Sequence, residues 1–149
     1  MGKNLPPIPD EKINNSTIAG IDANKNNIRD DVELAIFKKY PNSAKIRAAE
    51  LQYAQEAEAG LTSIFNNDTW VAVTKVKNNG VSCLVDLSFS LYSDIENQIH
   101  KSEDWQKEVE DFIFNNEDRK HRRSEANKYE AAYVAGDGIC DIDISSLPN

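Results

Sequence analysis

Apolar residues along this chain recur mostly at helical spacing, and that spacing predicts its elements. Over 30–40, Val32, Ile36 and Ala35 or Lys39 repeat at i, i+3 and i+4. Asp30 and Asp31 suit the N-terminal end of that helix, Lys38 and Lys39 suit its C-terminal end, and Pro41 stops it. Ser43 reads as the N-cap of a longer helix reaching about residue 65, with Ala48, Leu51, Gln55, Glu58, Leu61 and Phe65 along one stripe. Residues 70–76 are rich in β-branched side chains, but a lone strand has no partner here, so helix is expected. Asn78-Asn79-Gly80 reads as a turn. Leu84, Leu87, Leu91, Ile95 and Ile99 then predict a helix over 81–100. Ser102 is expected to cap the next one, which buries Trp105, Val109, Phe112 and Ile113 and breaks at Asn115-Asn116. A last helix is expected over 117–134, sharing Ala126, Tyr129 and Tyr133 on one face and stopped by Gly136 and Gly138. Residues 1–16 and 139–149 read as extended ends. The pattern therefore predicts an all-α chain: an extended leader, then one helical domain over 17–149 with about five helices.

One polar stretch carries specific chemistry. Residues 22–33 place oxygen-bearing side chains at positions 1, 3, 5, 9 and 12 of a loop: Asp22, Asn24, Asn26, Asp30 and Glu33. A calcium ion takes six to eight oxygens, and alternating residues of a tight loop point inward together. Ile28, at position 7, would give its backbone carbonyl and turn its side chain to the core, and Glu33 would supply two oxygens from inside the following helix. Position 6, where glycine is the standard residue, holds Asn27, one of the few other residue types that tolerate a left-handed backbone. Asn in place of Asp at positions 3 and 5 removes charge and points to weak binding, in the range of about 10⁻⁴–10⁻³ M.

The segment from Gly20 to Glu33 resembles the EF-hand-like calcium loops of dockerins and thrombospondin type 3 repeats. It is more similar still to a loop near the mature N-terminus of small exported bacterial proteins and lipoproteins of unknown function. Those place it after a Pro-containing leader, as Pro6, Pro7 and Pro9 stand here, and many continue with an Asn-x-x-x-Arg…Tyr element. Asn115 to Arg119, Tyr129 and Gly136 look like a degraded version of it. The resemblance implies calcium and export; it implies no activity.

Composition narrows the remaining choices. The 149 residues carry a net charge of −8, which argues against affinity for nucleic acid through phosphate neutralisation. No apolar run approaches the roughly 20 residues that a membrane-spanning helix needs. The first residues have no basic start and no apolar stretch, as in a cytoplasmic protein or in an exported one whose leader has been removed. Cys83 and Cys140 have no metal or redox spacing. Two buried thiols are one reading, but the polar surroundings of Cys140 favour a disulfide, which would close a loop worth on the order of 4 kcal/mol.

Nothing else in the chain has the spacing of a catalytic or metal motif. His100 and His121 are isolated, and the pairs Glu103-Asp104 and Glu108/Asp111 fit a solvated helix face. The basic run 119–123 fits a face paired with neighbouring acids, or an anchor for an acidic partner or lipid headgroup. The sequence thus leads to a non-enzymatic, Ca2+-binding periplasmic protein that works by binding another protein, with any membrane contact made through a lipid anchor outside this chain. A narrower version is an immunity protein inhibiting a secreted, envelope-targeting toxin, which its acidity would suit. A small hydrolase using clustered carboxylates is the third alternative.

Overall fold

The fold is carried by helices that begin at side-chain caps. In the computed structural model, which describes residues 5–134 and 140–149 without the side chains of 76–78, six helices follow one another and no strand occurs among the described residues. They are α1 (Glu11–Asn14), α2 (Asp30–Lys39), α3 (Ala44–Thr62), α4 (Asn67–Leu91), α5 (Ile95–Ile113) and α6 (Glu117–Asn127), followed by a 3-10 turn at Ile144–Ser146. Asp10, Ser43, Asn66, Asp94 and Asn116 each accept a backbone N–H of the first turn that follows, which satisfies donors a helix start would otherwise leave unpaired. The all-α bundle expected from the apolar spacing is thus present.

Helix α3 is the centre of the bundle. It packs against α4 most extensively and also against α2, α5, α6 and the C-terminal 3-10 turn. Leu51, Tyr53, Ala54, Ala57 and Leu61 of α3 meet Val32 and Ile36 of α2, Leu84 and Leu87 of α4, and Trp105, Val109 and Ile113 of α5 in one buried cluster. Ile28, from the loop before α2, is 1% exposed and belongs to the same cluster, so the loop is fastened to the core by its own apolar residue.

Several boundaries differ from the expected ones. Asn78-Asn79-Gly80 makes no turn, because α4 runs unbroken through it. At Gly80 the backbones of α4 and α3 approach closely: a Cβ there would stand 2.8 Å from Tyr53 Cα, and the Gly80 N–H donates to Glu56 Oε2 at 2.8 Å. The glycine that reads as a turn former therefore serves close helix packing instead. The chain breaks at 92–94 rather than near residue 100, where Tyr92 is extended and Asp94 accepts the N–H of Asn97. Ile95 and Ile99 consequently fall on an exposed part of α5, and Ser102 is no cap but a buried mid-helix residue whose hydroxyl donates to Ile99 O. Helix α6 ends at Asn127, so Tyr129 and Tyr133 lie beyond it, and Tyr133 packs edge-on against Trp70.

The ends are less extended than expected. The leader contains α1, with Asn14 buried. Gly136, Gly138 and Ile139, expected to stop α6 and start the tail, lie outside the described residues. From Cys140 the tail follows α3: Cys140 is disulfide-bonded to Cys83 of α4, the Asp141 N–H donates to Gln52, and Pro148 O accepts from the Ala44 N–H.

The two helix-interior glycines separate propensity from packing. A Cβ at Gly60 meets nothing within 4 Å, so Gly60→Ala should gain about 0.5–1 kcal/mol in urea unfolding. Gly80→Ala should instead lose about 1–3 kcal/mol, because the backbone of Tyr53 is in the way.

Candidate functional site

The loop between α1 and α2 is built almost entirely from side-chain-to-backbone hydrogen bonds. Gly20 enters it with φ +62°, a backbone conformation L side chains rarely adopt, and a Cβ there would also sit 2.2 Å from Arg29 Cδ, so glycine is required on both counts. The Asp22 carboxylate accepts the N–H groups of Asn26 (3.1 Å) and Asn27 (2.9 Å). Asn26 Oδ1 accepts the Ile28 N–H at 2.9 Å, and the Asp30 carboxylate accepts the Ala23 N–H at 3.0 and 3.2 Å. Asn27, at the glycine position of the pattern, adopts φ +64°. Lys25 is left-handed too, with φ +57°.

These turns bring Asn24, Asn26 and Glu33 to one place. The amide nitrogens of Asn24 and Asn26 stand 2.9 and 2.8 Å from the same Glu33 oxygen, Oε2. Asp30 and Glu33 are buried at the start of α2, and Asp22 is half-buried. Burial raises the pKa of Asp30 most, the Ala23 N–H opposes it, and the charges of Asp22, Glu33 and Asp31 raise it further. Negative charge is thus concentrated and mutually unfavourable at the head of this helix.

The donor types suit a hard cation, being carboxylate, amide and peptide oxygens without sulfur or imidazole. Among the described residues no three His, Cys, Asp or Glu side chains are gathered closely enough to hold a metal ion. In this arrangement the loop's own N–H groups reach its carboxylate and amide oxygens.

Two arginines unremarked as site residues in the sequence fix this loop to the helices. Arg29, 1% exposed, donates to Phe112 O (2.8 Å) and Ile113 O (3.3 Å) at the C-terminal end of α5, where helix carbonyls are unpaired and the dipole is negative. Asp31 pairs with its Nε side. Arg119, wholly buried, uses all five N–H donors on oxygens: Asn14 O, Thr17 O, Ile18 O, Asn15 Oδ1 and Asn115 Oδ1. Burial, then the charge of Arg29, lowers its pKa. Asn115 and Arg119 of the degraded Asn-x-x-x-Arg element are therefore the joint between leader and α6. The basic run is not simply a solvated face, since Arg119 is buried, Arg122 donates to Ile64 O, and Arg123 pairs with Glu110 while stacking on Phe114. Lys120 and His121 do lie outside, beside Glu117 and Glu125.

Two glutamates of α3 are also buried. Glu50 has both oxygens without a hydrogen-bond partner, and burial, then the charge of Glu108, pushes its pKa up to about 9, against the opposing charge of Lys39. Glu58 is 5% exposed and pushed up to about 7 by burial, against the attraction of Arg29. Its Oε1 lies 3.3 Å from Arg29 Nη1, a charge contact in which it accepts no hydrogen bond. Spacing put Glu58 on the stripe with Leu51 and Leu61 but left Glu50 off it, on a helix read as amphipathic, where Glu normally marks the wet side. The other carboxylates considered, Glu103, Asp104 and Asp111, are exposed, and so is His100. No helix among the described residues is long and apolar enough to cross a membrane.

Compared with known proteins, the chain matches no family model, no curated protein and no solved structure. The functional reading accordingly rests on the residues themselves.

Replacing Arg119 by Met strands three backbone carbonyls and two amide oxygens, and should lower stability by about 3–5 kcal/mol in chemical denaturation. The glutamates give a pH signature. A carboxyl whose folded pKa is raised contributes stability fully below its unfolded value and loses it as pH climbs to the folded value, so Glu50 acts between 4.5 and about 9 and Glu58 between 4.5 and about 7. Stability should fall from pH 5 to pH 8, and Glu50→Gln should flatten that slope by about 1 kcal/mol per pH unit, read from urea midpoints across the range.

Proposed function

We propose that this chain is a calcium-stabilised, non-enzymatic helical domain of the bacterial periplasm that acts by binding another protein. The observation that carries the reading is the convergence of Asn24 and Asn26 on the Glu33 carboxylate around a left-handed Asn27. Each of these amides holds an oxygen beside the nitrogen that faces Glu33, so a half-turn of the amide exchanges donor for acceptor. That exchange gives up the contacts of Asn24 and Asn26 to the N–H groups of Asn26 and Ile28. It is favourable only if a cation supplies the attraction. Asp22, Asn24, Asn26, Asp30 and Glu33, with the Ile28 carbonyl, would hold the ion. Calcium would supply positive charge among carboxylates that repel one another.

The compartment is supported by the Cys83–Cys140 bond, since disulfides persist in oxidising surroundings. Binding as the mode of action is supported by a net charge of −8, which steers a basic partner toward the surface. An immunity protein that blocks a secreted, envelope-targeting toxin is the specific form of this reading that the same charge favours.

Calcium titrated into the calcium-free protein should bind with a Kd of about 10⁻⁴–10⁻³ M by calorimetry. It should raise stability by about 2–3 kcal/mol at a hundredfold excess over Kd. Glu33→Gln should abolish both effects. An unfolding midpoint unmoved by about 10–100 mM calcium (roughly a hundredfold excess over Kd), or moved equally in Glu33→Gln, overturns the calcium reading.

A further inference from the structure

A cavity of about 250 Å³ opens where α3, α4 and α6 meet the end of α5. Leu61, Ile64, Trp70, Val73, Val81 and Phe114 give it apolar walls. Two of these rings are braced by neighbours: Tyr133 stands edge-on to Trp70 with ring centres 5.7 Å apart, and the Arg123 guanidinium stacks 4.3 Å from the Phe114 ring centre. Gly60 helps to keep the space open. It follows Ala57 by three residues and precedes Ile64 by four, so its bare Cα lies on the same helix face as two buried wall residues. A Cβ there meets nothing within 4 Å. Alanine would fit and would favour the helix, so the glycine costs stability and leaves room, a trade found where a site must stay open. Three polar side chains reach the same walls, those of Thr74, Asn127 and Arg123. Arg123 gives Nη1 to Glu110 at 2.9 Å while its side chain is 41% exposed, which leaves other N–H groups of its fork within reach of a ligand.

We infer that this cavity takes up a small neutral molecule, a single aromatic ring or a short alkyl chain carrying one alcohol or carbonyl oxygen, with its apolar end inward and its oxygen toward Arg123. Size sets the first part. An apolar cavity of roughly 150 Å³ accepts benzene, whereas drug-sized ligands need roughly 300 Å³ or more. Charge sets the second. An ammonium would meet the Arg123 guanidinium, and a carboxylate would meet Glu110, whose Oε1 accepts from Tyr53 and whose Oε2 faces Arg123. A neutral acceptor meets neither repulsion and still receives an N–H from the guanidinium. The site shares no residue with the loop over 22–33, so it stands or falls apart from the calcium reading.

The test is amide and indole NMR of the intact, disulfide-bonded protein titrated separately with benzyl alcohol, toluene and benzylamine. Benzyl alcohol and toluene should give saturable shifts confined to Ala57, Gly60, Ala126 and the Trp70 indole. Benzylamine should bind about tenfold more weakly than benzyl alcohol, although the net charge of −8 draws cations to the surface. Gly60→Ala and Gly60→Leu fill the space in two steps. Both should keep or raise the urea midpoint, the first weakening both neutral probes and the second abolishing their binding. Arg123→Gln should weaken benzyl alcohol about tenfold, the worth of one charge-assisted hydrogen bond, and leave toluene unchanged. Absence of saturable shifts at these residues marks a packing void only and overturns the inference, as does wild-type binding in folded Gly60→Leu or benzylamine matching benzyl alcohol in affinity. Should Gly60→Leu fail to fold, Gly60→Ala is read in its place. Equal weakening of both neutral probes by Arg123→Gln overturns the placement of the oxygen.

Discussion

A guanidinium buried in a protein must find oxygen for its donors or expel itself to water, and Arg29 meets that constraint at the end of α5. The last carbonyls of a helix have no partner within the helix, and Arg29 takes two of them, on Phe112 and Ile113. The residue that N-caps α2 is therefore also the residue that closes α5. Everything around it follows. Gly20 must be glycine because Arg29 Cδ occupies the space of a Cβ, Asp31 turns back to the guanidinium, and Glu58 is held by its charge contact with Nη1. A loop that would otherwise be a surface excursion is locked between three helices.

Arg119 repeats the solution with neutral acceptors. Its five bonds go to three backbone carbonyls, Asn14 O in the leader and Thr17 O and Ile18 O just after it, and to two Asn side chains, with no carboxylate among them. A charge satisfied only by dipoles is stable when every donor is used, and each acceptor here is placed by α1 or by the turn before α6. The leader is consequently part of the fold from Asp10 onward, and the candidate ion loop is anchored at both ends: by Asn14 and Arg119 before it, by Ile28 and Arg29 after it.

The acidic groups complement this scaffold in two ways. At the head of α2 they lie together, and burial with the charges of Asp22, Glu33 and Asp31 raises the proton affinity of Asp30, a condition that a cation would relieve. Along α3 they are buried singly, Glu50 facing Glu108 and Glu58 facing Arg29, so the bundle holds ionisable groups in positions where apolar side chains would stabilise it more. Groups of that kind tie the molecule's stability to pH.

The sequence by itself determined the helical class, the cap at Ser43, a helix starting at Asp30 and the break at Asn115-Asn116, because each depends on neighbours within about four residues. It also favoured the disulfide, through the polar setting of Cys140. It misplaced the boundary near Asp94, since Leu91, Ile95 and Ile99 keep helical spacing across a break that a local cap imposes. It read Gly80 as a turn because the approach of α4 to Tyr53 is a contact between distant segments. Arg29, Arg119 and Glu50 look like surface charges in any local window. Only the tertiary structure, by surrounding them with carbonyls, amides or nothing at all, decided that they are the interior of the molecule.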